Sequence, residues 1–208
     1  MYLAEFLTVV VVHLLAVMSP GPDFVMICRN SVVHSRQAGV YSAVGLGLGI
    51  VVHVTYSLVG IGFVIAKSLL LFTLLKYVGA AYLIYLGYQC LRAPLLQPHP
   101  RDGHARGELG QWAALRMGFL TNVLNPKATL FFFALFTLVI HPQTPKGIQI
   151  LYGLEMSVMT FVWFALVATL LSHQRIRMRF TSIQHQLERA FGVILVALAV
   201  KVALSVRP

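Results

Sequence analysis

The chain has 208 residues, of which 58% are hydrophobic and 11% are charged, and its mean hydropathy is +0.80. So low a charge content excludes an ordinary water-soluble domain, and the length has room for several membrane-spanning helices of about 20 residues and little else. A net charge of +10 would suit nucleic-acid binding in a soluble protein. The positions of the basic residues therefore decide between a membrane protein and a nucleic-acid-binding protein.

Apolar stretches without charges, extended to bilayer length, predict six transmembrane helices. They cover about residues 4–28, 41–66, 74–91, 114–140, 148–171 and 187–205. Ten of the sixteen Lys and Arg residues lie in or beside the first, third and fifth gaps between these helices. The positive-inside rule makes those gaps cytoplasmic, so both termini are predicted on the outer side of the membrane. The basic excess is then a topology signal, and no nucleic-acid partner is expected.

A polar linker divides the chain into two halves. Ala93–Gly110 is rich in Pro, Gly and charged residues, as is typical of a linker. We expect a single membrane domain over residues 1–208, with repeat 1 at about 1–92, a cytoplasmic linker at about 93–113 and repeat 2 at about 114–208.

The two halves show weak internal similarity. A shift of 104 residues places Pro22-Asp23 on Pro126-Lys127, within the first helix of each half. Three helices per half require related halves to insert with opposite orientation, which is the arrangement of many secondary transporters. The expected fold class is therefore all-α: a polytopic membrane protein with six transmembrane helices in an inverted 3+3 repeat.

Two proline-containing breaks fall inside predicted helices. Pro20 and Pro22 flank Gly21 in the first helix, and Asn125-Pro126 interrupts the fourth. Proline removes an amide donor and blocks regular helix before it. The freed backbone groups are tolerated at membrane depth only inside the protein or beside a watery cavity. At a rise of about 1.5 Å per residue from opposite sides, both breaks are predicted near the midplane.

An ionisable residue directly follows each break. Asp23 can accept an ammonium group or carry a proton, while Lys127 can balance that charge or bind an anion. A restarting helix also directs N–H groups towards a carboxylate, so the combination suits a zwitterion. A structural alternative stays open, in which Asp23 caps the resumed helix and bridges to Lys127. Because intramembrane ionisable residues are costly to retain, a functional role is the default interpretation.

Three segments occur in an order and at a spacing that carry a family resemblance. They are Ser19–Asp23 in the first predicted helix, Lys76–Gly87 in the third and Gly118–Ala128 in the fourth. They resemble the lysine-exporter-type amino-acid exporters, in the branch of threonine and homoserine efflux proteins, over nearly the whole chain. The resemblance implies a bacterial inner-membrane exporter of amino acids driven by the proton-motive force. It leaves the exported amino acid open.

The residues and the resemblance together predict a secondary transporter, not an enzyme, that exports small amino acids in a lipid bilayer without a cofactor or metal. Proton antiport is what the resemblance implies. Asp23 and Glu155 are the candidate proton-coupling residues; Glu155 either exchanges protons near the outer third of the fifth helix or is solvated in an outer vestibule. Monomer and homo-oligomer both stay open. The candidate substrate-binding residues are Ser19, Pro20, Gly21, Pro22, Asp23, Asn122, Asn125, Pro126 and Lys127.

Other functions stay open at this stage. The same architecture would suit export of a cationic amino acid or a metal cation. Cys28 and Cys90 raise the alternative of a transmembrane thiol-redox conduit, although neither cysteine adjoins a break. His13 and His53 lie inside predicted helices, where two isolated imidazoles are expected to make helix contacts rather than a metal site.

The sequence Gly45-x-Gly47-x-Gly49 superficially resembles a nucleotide-binding loop. It follows no predicted strand and lies in an apolar helix, which argues against that interpretation. Small residues in membrane helices allow backbones to approach closely. We therefore expect these glycines to pack helices together.

Overall fold

The computed structural model describes residues 2–19, 21–67, 109–141 and 143–171, together with individual residues between 74 and 92 and between 186 and 200. No strand occurs among the described residues, and the all-α fold class is confirmed. In the continuous ranges the chain forms the α-helices α1 Tyr2–Met18, α2 Pro22–Arg29, α3 Arg36–Lys67, α4 Gln111–Val123, α5 Pro126–Leu138 and α6 Lys146–Leu171.

By length and composition, the described part of the chain has two to four candidate membrane spans. Arg36–Gly60 of α3 and the whole of α6 are each long and apolar enough to cross a bilayer. Two further candidates are bent pairs, α1 with Pro22–His34 and α4 with α5, and each pair bends by 56° at its break. The helices predicted at 74–91 and 187–205 fall on ranges where the structure describes only individual residues, which lie in helix.

Both breaks end at a proline in the first turn of the next helix. α2 begins at Pro22 after an extended Gly21, and α5 begins at Pro126 after an extended Asn125. Proline suits this position because the first helical residue has no intrahelical use for an N–H group. The sequence prediction of a break in each of these two helices is confirmed.

A π-helical turn, Asn30–His34, follows α2 and leads into α3. Asn30 is buried, and its Nδ2 donates to Oγ of Ser42 at 2.9 Å and lies 3.3 Å from Sδ of Met117. This side chain therefore joins the end of α2 to α3 and α4. Because the turn and an extended Ser35 reverse the chain quickly, α3 starts at residue 36 rather than at the predicted residue 41.

Glycines allow α3 to pack closely between α4 and α6. A Cβ at Gly45 would overlap the backbone of Leu115, and one at Gly118 would overlap the backbone of α3. On another face of α3, the carbonyl of Gly47 accepts a hydrogen bond of 2.7 Å from Oγ of Ser157 on α6. The prediction that this glycine series packs helices together is confirmed.

Apolar side chains cover the outside of the bundle as well as its interior. Leu3, Leu7 and Val11 recur every four residues on α1 and are each more than half exposed, and Leu151 and Val158 are similarly exposed on α6. A helix that is apolar on all sides suits a lipid environment. Two buried apolar clusters lie inside, one rich in residues of α5 and one around α2, α3 and the second half of α6.

Candidate functional site

A cavity of about 50 Å³ lies between the two apolar clusters, where α2 and α5 begin. Its polar and charged lining comes mainly from the two breaks. The wall includes aromatic side chains of α2, α5 and α6 together with two polar side chains from the middle of α1 and α6. The lining residues used below are Ser19, Gly21, Asp23, Asn122, Asn125, Lys127, Phe131, Phe132, His13 and Thr160.

The carboxylate of Asp23 is held by two amides from the opposite break. Nδ2 of Asn122 donates to its Oδ2 at 2.8 Å, and Nδ2 of Asn125 donates to its Oδ1 at 3.1 Å. Asp23 is also the second residue of α2, where the positive end of the helix dipole favours a carboxylate. Both asparagines are at least 95% buried, so the hydrogen bonds to Asp23 form in a largely water-free setting.

The ammonium group of Lys127 reaches across to the first break. Its Nζ donates to Oγ of Ser19 at 2.9 Å and to the carbonyl oxygen of Ser19 at 3.2 Å. Lys127 is the second residue of α5, where the helix dipole disfavours a cation. The two hydrogen bonds to oxygen atoms of Ser19 offset that cost. The position of Lys127 therefore depends on the first break being in place.

The side chain of Asn125 makes hydrogen bonds to both charged residues, Asp23 and Lys127. Its Oδ1 accepts the backbone N–H of Lys127 at 3.0 Å, which caps α5, while its Nδ2 donates to Asp23. A cap of this kind satisfies one of the helix N–H groups that lack an intrahelical partner. The N-cap of α2, Gly21, makes no side-chain cap hydrogen bond.

His53 supports the second break from α3. Its Nε2 lies 3.0 Å from the carbonyl oxygen of Asn122, and its ring stacks on Phe132 with a centroid distance of 5.4 Å. Since a carbonyl can only accept, Nε2 carries the proton in this contact. On the other side of the ring, Nδ1 lies 2.6 Å from the hydroxyl of Tyr56. His53 therefore fixes the end of α4 from which the Asn122 amide reaches Asp23.

The structure brings most of the predicted substrate-binding residues to one cavity. Six of them line it, while Pro22 and Pro126 set the helix starts beside it, and Pro20 lies outside the described residues. Their role in binding stays a prediction. Glu155 is half-buried on α6, its Oε2 is buried with no hydrogen-bond partner among the residues that the structure describes, and it does not belong to the lining of this cavity.

Three residues of the site were not predicted as such. His13 and His53 are expected from sequence to make helix contacts, and this is confirmed by their hydrogen bonds to α6 and α4. The sequence does not reveal that one histidine lines the cavity and the other supports Asn122. Thr160 gives no signal in the sequence. Cys90, which the thiol-redox alternative requires, lies outside the described residues.

A family model described as LysE type translocator matches residues 14–206. The chain belongs to this family. LysE type translocators are membrane transporters, so the protein is a transporter and not an enzyme.

Curated relatives agree with the family over most of the chain. The threonine efflux protein of Escherichia coli (strain K12) is 30% identical over 203 residues, covering 96% of this chain and 98% of its own length. The homoserine/homoserine lactone efflux protein of Salmonella typhimurium is 33% identical over 178 residues, 84% of each chain. An uncharacterised membrane protein of Bacillus subtilis is 28% identical over 196 residues, covering 91% of this chain and 93% of its own length. No solved structure matches the chain.

Proposed function

We propose that this protein exports small amino acids of the threonine and homoserine type across the bacterial inner membrane. The observation that carries the proposal is the meeting of Asp23 and Lys127, one from each break, at a single cavity. The efflux proteins named above, which resemble this chain over most of its length, support the direction of transport and the substrate class.

In this proposal the cavity binds the substrate as a zwitterion. The ammonium group of the amino acid binds the carboxylate of Asp23, whose two oxygens keep lone pairs beyond those used by the asparagine amides. The substrate carboxylate binds the ammonium of Lys127 and the uncapped start of α2, with Ser19 and Gly21 beside it. Charge-assisted hydrogen bonds at both ends orient the molecule.

Proton antiport follows from the same carboxylate. Asp23 carries either a proton or the substrate ammonium group, so outward movement of substrate is coupled to inward movement of a proton. Glu155 is a second candidate for the proton route, because its buried Oε2 has no hydrogen-bond partner in the described part of the chain. The carboxyl group that exchanges the proton is the one whose replacement abolishes coupling.

The proposed architecture is a single membrane domain of six helices in an inverted 3+3 repeat, with repeats at about 1–92 and 114–208. The two 56° bends, each followed by a proline in the first helical turn, support related halves. In transporters of this kind the substrate site lies between two discontinuous helices. In this proposal the linker lies in the cytoplasm and both termini lie on the outer side, as the positive-inside rule predicts from the basic residues.

Reporter fusions test this topology. A reporter joined after Arg101 or after Arg177 should read cytoplasmic, and one joined after Pro208 should read external. If the reporter after Arg177 reads cytoplasmic, a cytoplasmic C-terminus would contradict the six-helix arrangement, because one helix after Arg177 must bring the C-terminus to the opposite side.

Transport by the purified full-length protein in proteoliposomes tests the function. Labelled threonine and homoserine should exchange with unlabelled substrate across the membrane, and an imposed pH gradient should drive net movement. Labelled lysine and a divalent metal ion serve as controls for the alternative solutes. Failure of every amino acid to move in vesicles that contain correctly inserted protein would overturn the proposal.

A further inference from the structure

Two buried polar side chains line the cavity away from the charged residues. His13 of α1 is 1% exposed, and Thr160 of α6 is also 1% exposed. Their Nε2 and Oγ1 atoms lie 3.3 Å apart, which joins α1 to α6. The second ring nitrogen, Nδ1 of His13, is buried and has no hydrogen-bond partner among the described residues.

The unpartnered Nδ1 of His13 is suited to bind a ligand in the cavity. The His13 ring packs against Phe131 and Phe132, with centroid distances of 6.2 and 5.8 Å. A buried polar atom with no partner loses its hydration without compensation, and such atoms are rare in native structures. His13 and Thr160 both line the cavity, so a molecule held there can supply the missing hydrogen bond.

The spacing along α1 matches a small amino acid. His13 precedes Ser19, which contacts the ammonium of Lys127, by six residues, or about 9 Å along the helix axis at the standard rise. An amino acid of three or four carbons with a hydrogen bond at each end spans about 9–12 Å. This separation is compatible with a molecule that binds the charged residues through its backbone groups and His13 through its side chain.

We propose that His13 and Thr160 form a side-chain subsite that selects amino acids with a hydroxyl on the third or fourth carbon. This inference rests on the proposed function and assigns residues to its specificity. A hydroxyl donates and accepts, so it can pair with Nδ1 of His13 in either neutral tautomer of the ring. A methyl group at the same place would leave Nδ1 unpaired, and sites built around a hydroxyl discriminate against analogues that lack it.

The test compares substrates that differ in the hydroxyl alone. 2-Aminobutyrate has the carbon skeleton of threonine and of homoserine without the hydroxyl, and valine replaces the threonine hydroxyl by a methyl group. Proteoliposomes with the wild-type protein should transport threonine or homoserine about 10-fold or more faster than 2-aminobutyrate and valine at low concentration. Equal transport of threonine and 2-aminobutyrate by the wild type would overturn the subsite while leaving amino-acid export standing.

Variants then assign the selectivity to residues. His13→Leu should lower threonine transport more strongly than 2-aminobutyrate transport, so the ratio between them falls about 10-fold. His13→Asn retains a polar atom near the position of Nδ1 and should keep most of the ratio. Thr160→Val preserves shape and removes the hydroxyl that orients the ring, so it should lower the ratio as well.

Thr137→Val is the matched control. Thr137 is a buried threonine of α5 whose hydroxyl donates to its own helix, to the carbonyl of Phe133, and it does not belong to the cavity lining. Its variant should keep the wild-type ratio. An equal loss of all substrates in His13→Leu and Thr160→Val would make the contact structural and overturn the inference. If His13→Leu fails to insert, the ratio in Thr160→Val decides.

Discussion

The two helix breaks have the same backbone arrangement but differ in the charged residue that follows them and in how the next helix is capped. Each restarts its helix at a proline and bends the chain by 56°. The first break then presents Asp23 after an uncapped Gly21, whereas the second presents Lys127 after Asn125, which caps its helix. Each charged group is hydrogen-bonded to the opposite break.

This difference shows that neither break is complete alone. Asp23 has a favourable position on its own helix dipole, and Lys127 has an unfavourable one, yet both depend on partners that the other half of the chain supplies. At the second break, the side chain of Asn125 caps the start of α5. The first break has no side-chain cap, which makes the start of α2 the more suitable place for a substrate carboxylate.

The largest expected effect comes from removing the charge at the first break. Asp23→Asn should lower export at least about 100-fold, because a charge-assisted contact with the substrate ammonium and the exchangeable proton are both lost. The protein should still insert in the membrane, although at lower abundance than the wild type. Export per molecule of inserted protein is the measurement, and full activity of this variant would contradict the proposed role.

A double variant separates function from structural bridging. Asp23→Asn leaves the ammonium of Lys127 in a site with less negative charge, and Lys127→Gln removes that imbalance. We expect the double variant to regain abundance without regaining export. Recovery of both quantities would instead assign the two charges to structure.

A smaller effect is expected from displacing Asn122. A Cβ on Gly49 would lie 2.5 Å from Oδ1 of Asn122 and 2.8 Å from its Cβ, so Gly49→Ala must shift this side chain and disturb its hydrogen bond to Asp23. Loss of one hydrogen bond to a charged group predicts about a 10-fold fall in export. Gly60→Ala in the same helix meets no atom of the described residues within 4 Å and should behave as wild type. Equal activity of the two variants would show that Asn122 is dispensable.

The two ends of the Asn125 side chain at the second break should have separate effects, one on the stability of the protein and one on export. Asn125→Ala removes the cap and one contact with Asp23, which should cost about 1–2 kcal/mol in the free energy of unfolding. Asn125→Ser restores a capping oxygen but not the amide that reaches Asp23. Thermal unfolding in detergent should therefore improve in the serine variant while export stays low, and parallel recovery of both would contradict separate roles for the two ends of this side chain.

The smallest effect is expected at the cap of the first break. Gly21 is extended with φ near −174°, a conformation open to any residue, and an added Cβ would make ordinary contact at 3.4 Å with Cδ and Nζ of Lys127. Gly21→Ala should change the free energy of unfolding by about 0.5 kcal/mol or less. A large loss of stability in thermal unfolding would show that the first break does not tolerate a side chain at this position.

The amino-acid sequence alone is enough to predict the features of the fold and the site that depend on residues adjacent in the chain. Apolar length predicts helices, proline predicts the breaks, and the ionisable residue after each break predicts which side chains meet at the cavity. Asp23 and Lys127 line it together. These features follow from residues that are neighbours in the chain, so they need no knowledge of how helices rotate.

Contacts between helices that are far apart in the sequence could not be predicted in this way. The contact of His53 with the carbonyl of Asn122 joins α3 to the end of α4, and the contact of His13 with Thr160 joins α1 to α6. Both depend on the rotation of each helix about its axis, and helices that are apolar on all sides carry little periodic signal for that rotation. The extended Ser35 and the π turn before it were missed for a related reason, since Asn30 is held there by α3 and α4.

The close packing of α3 with α4 also restricts how the transporter can move. At Gly45 and Gly118 the two backbones meet without intervening side chains, so no change of rotamer can absorb sliding or rotation of one helix against the other. Well-packed contacts switch between discrete arrangements rather than deforming continuously. We therefore expect α3 and α4 to move as one rigid unit when the cavity opens to one side of the membrane and then to the other.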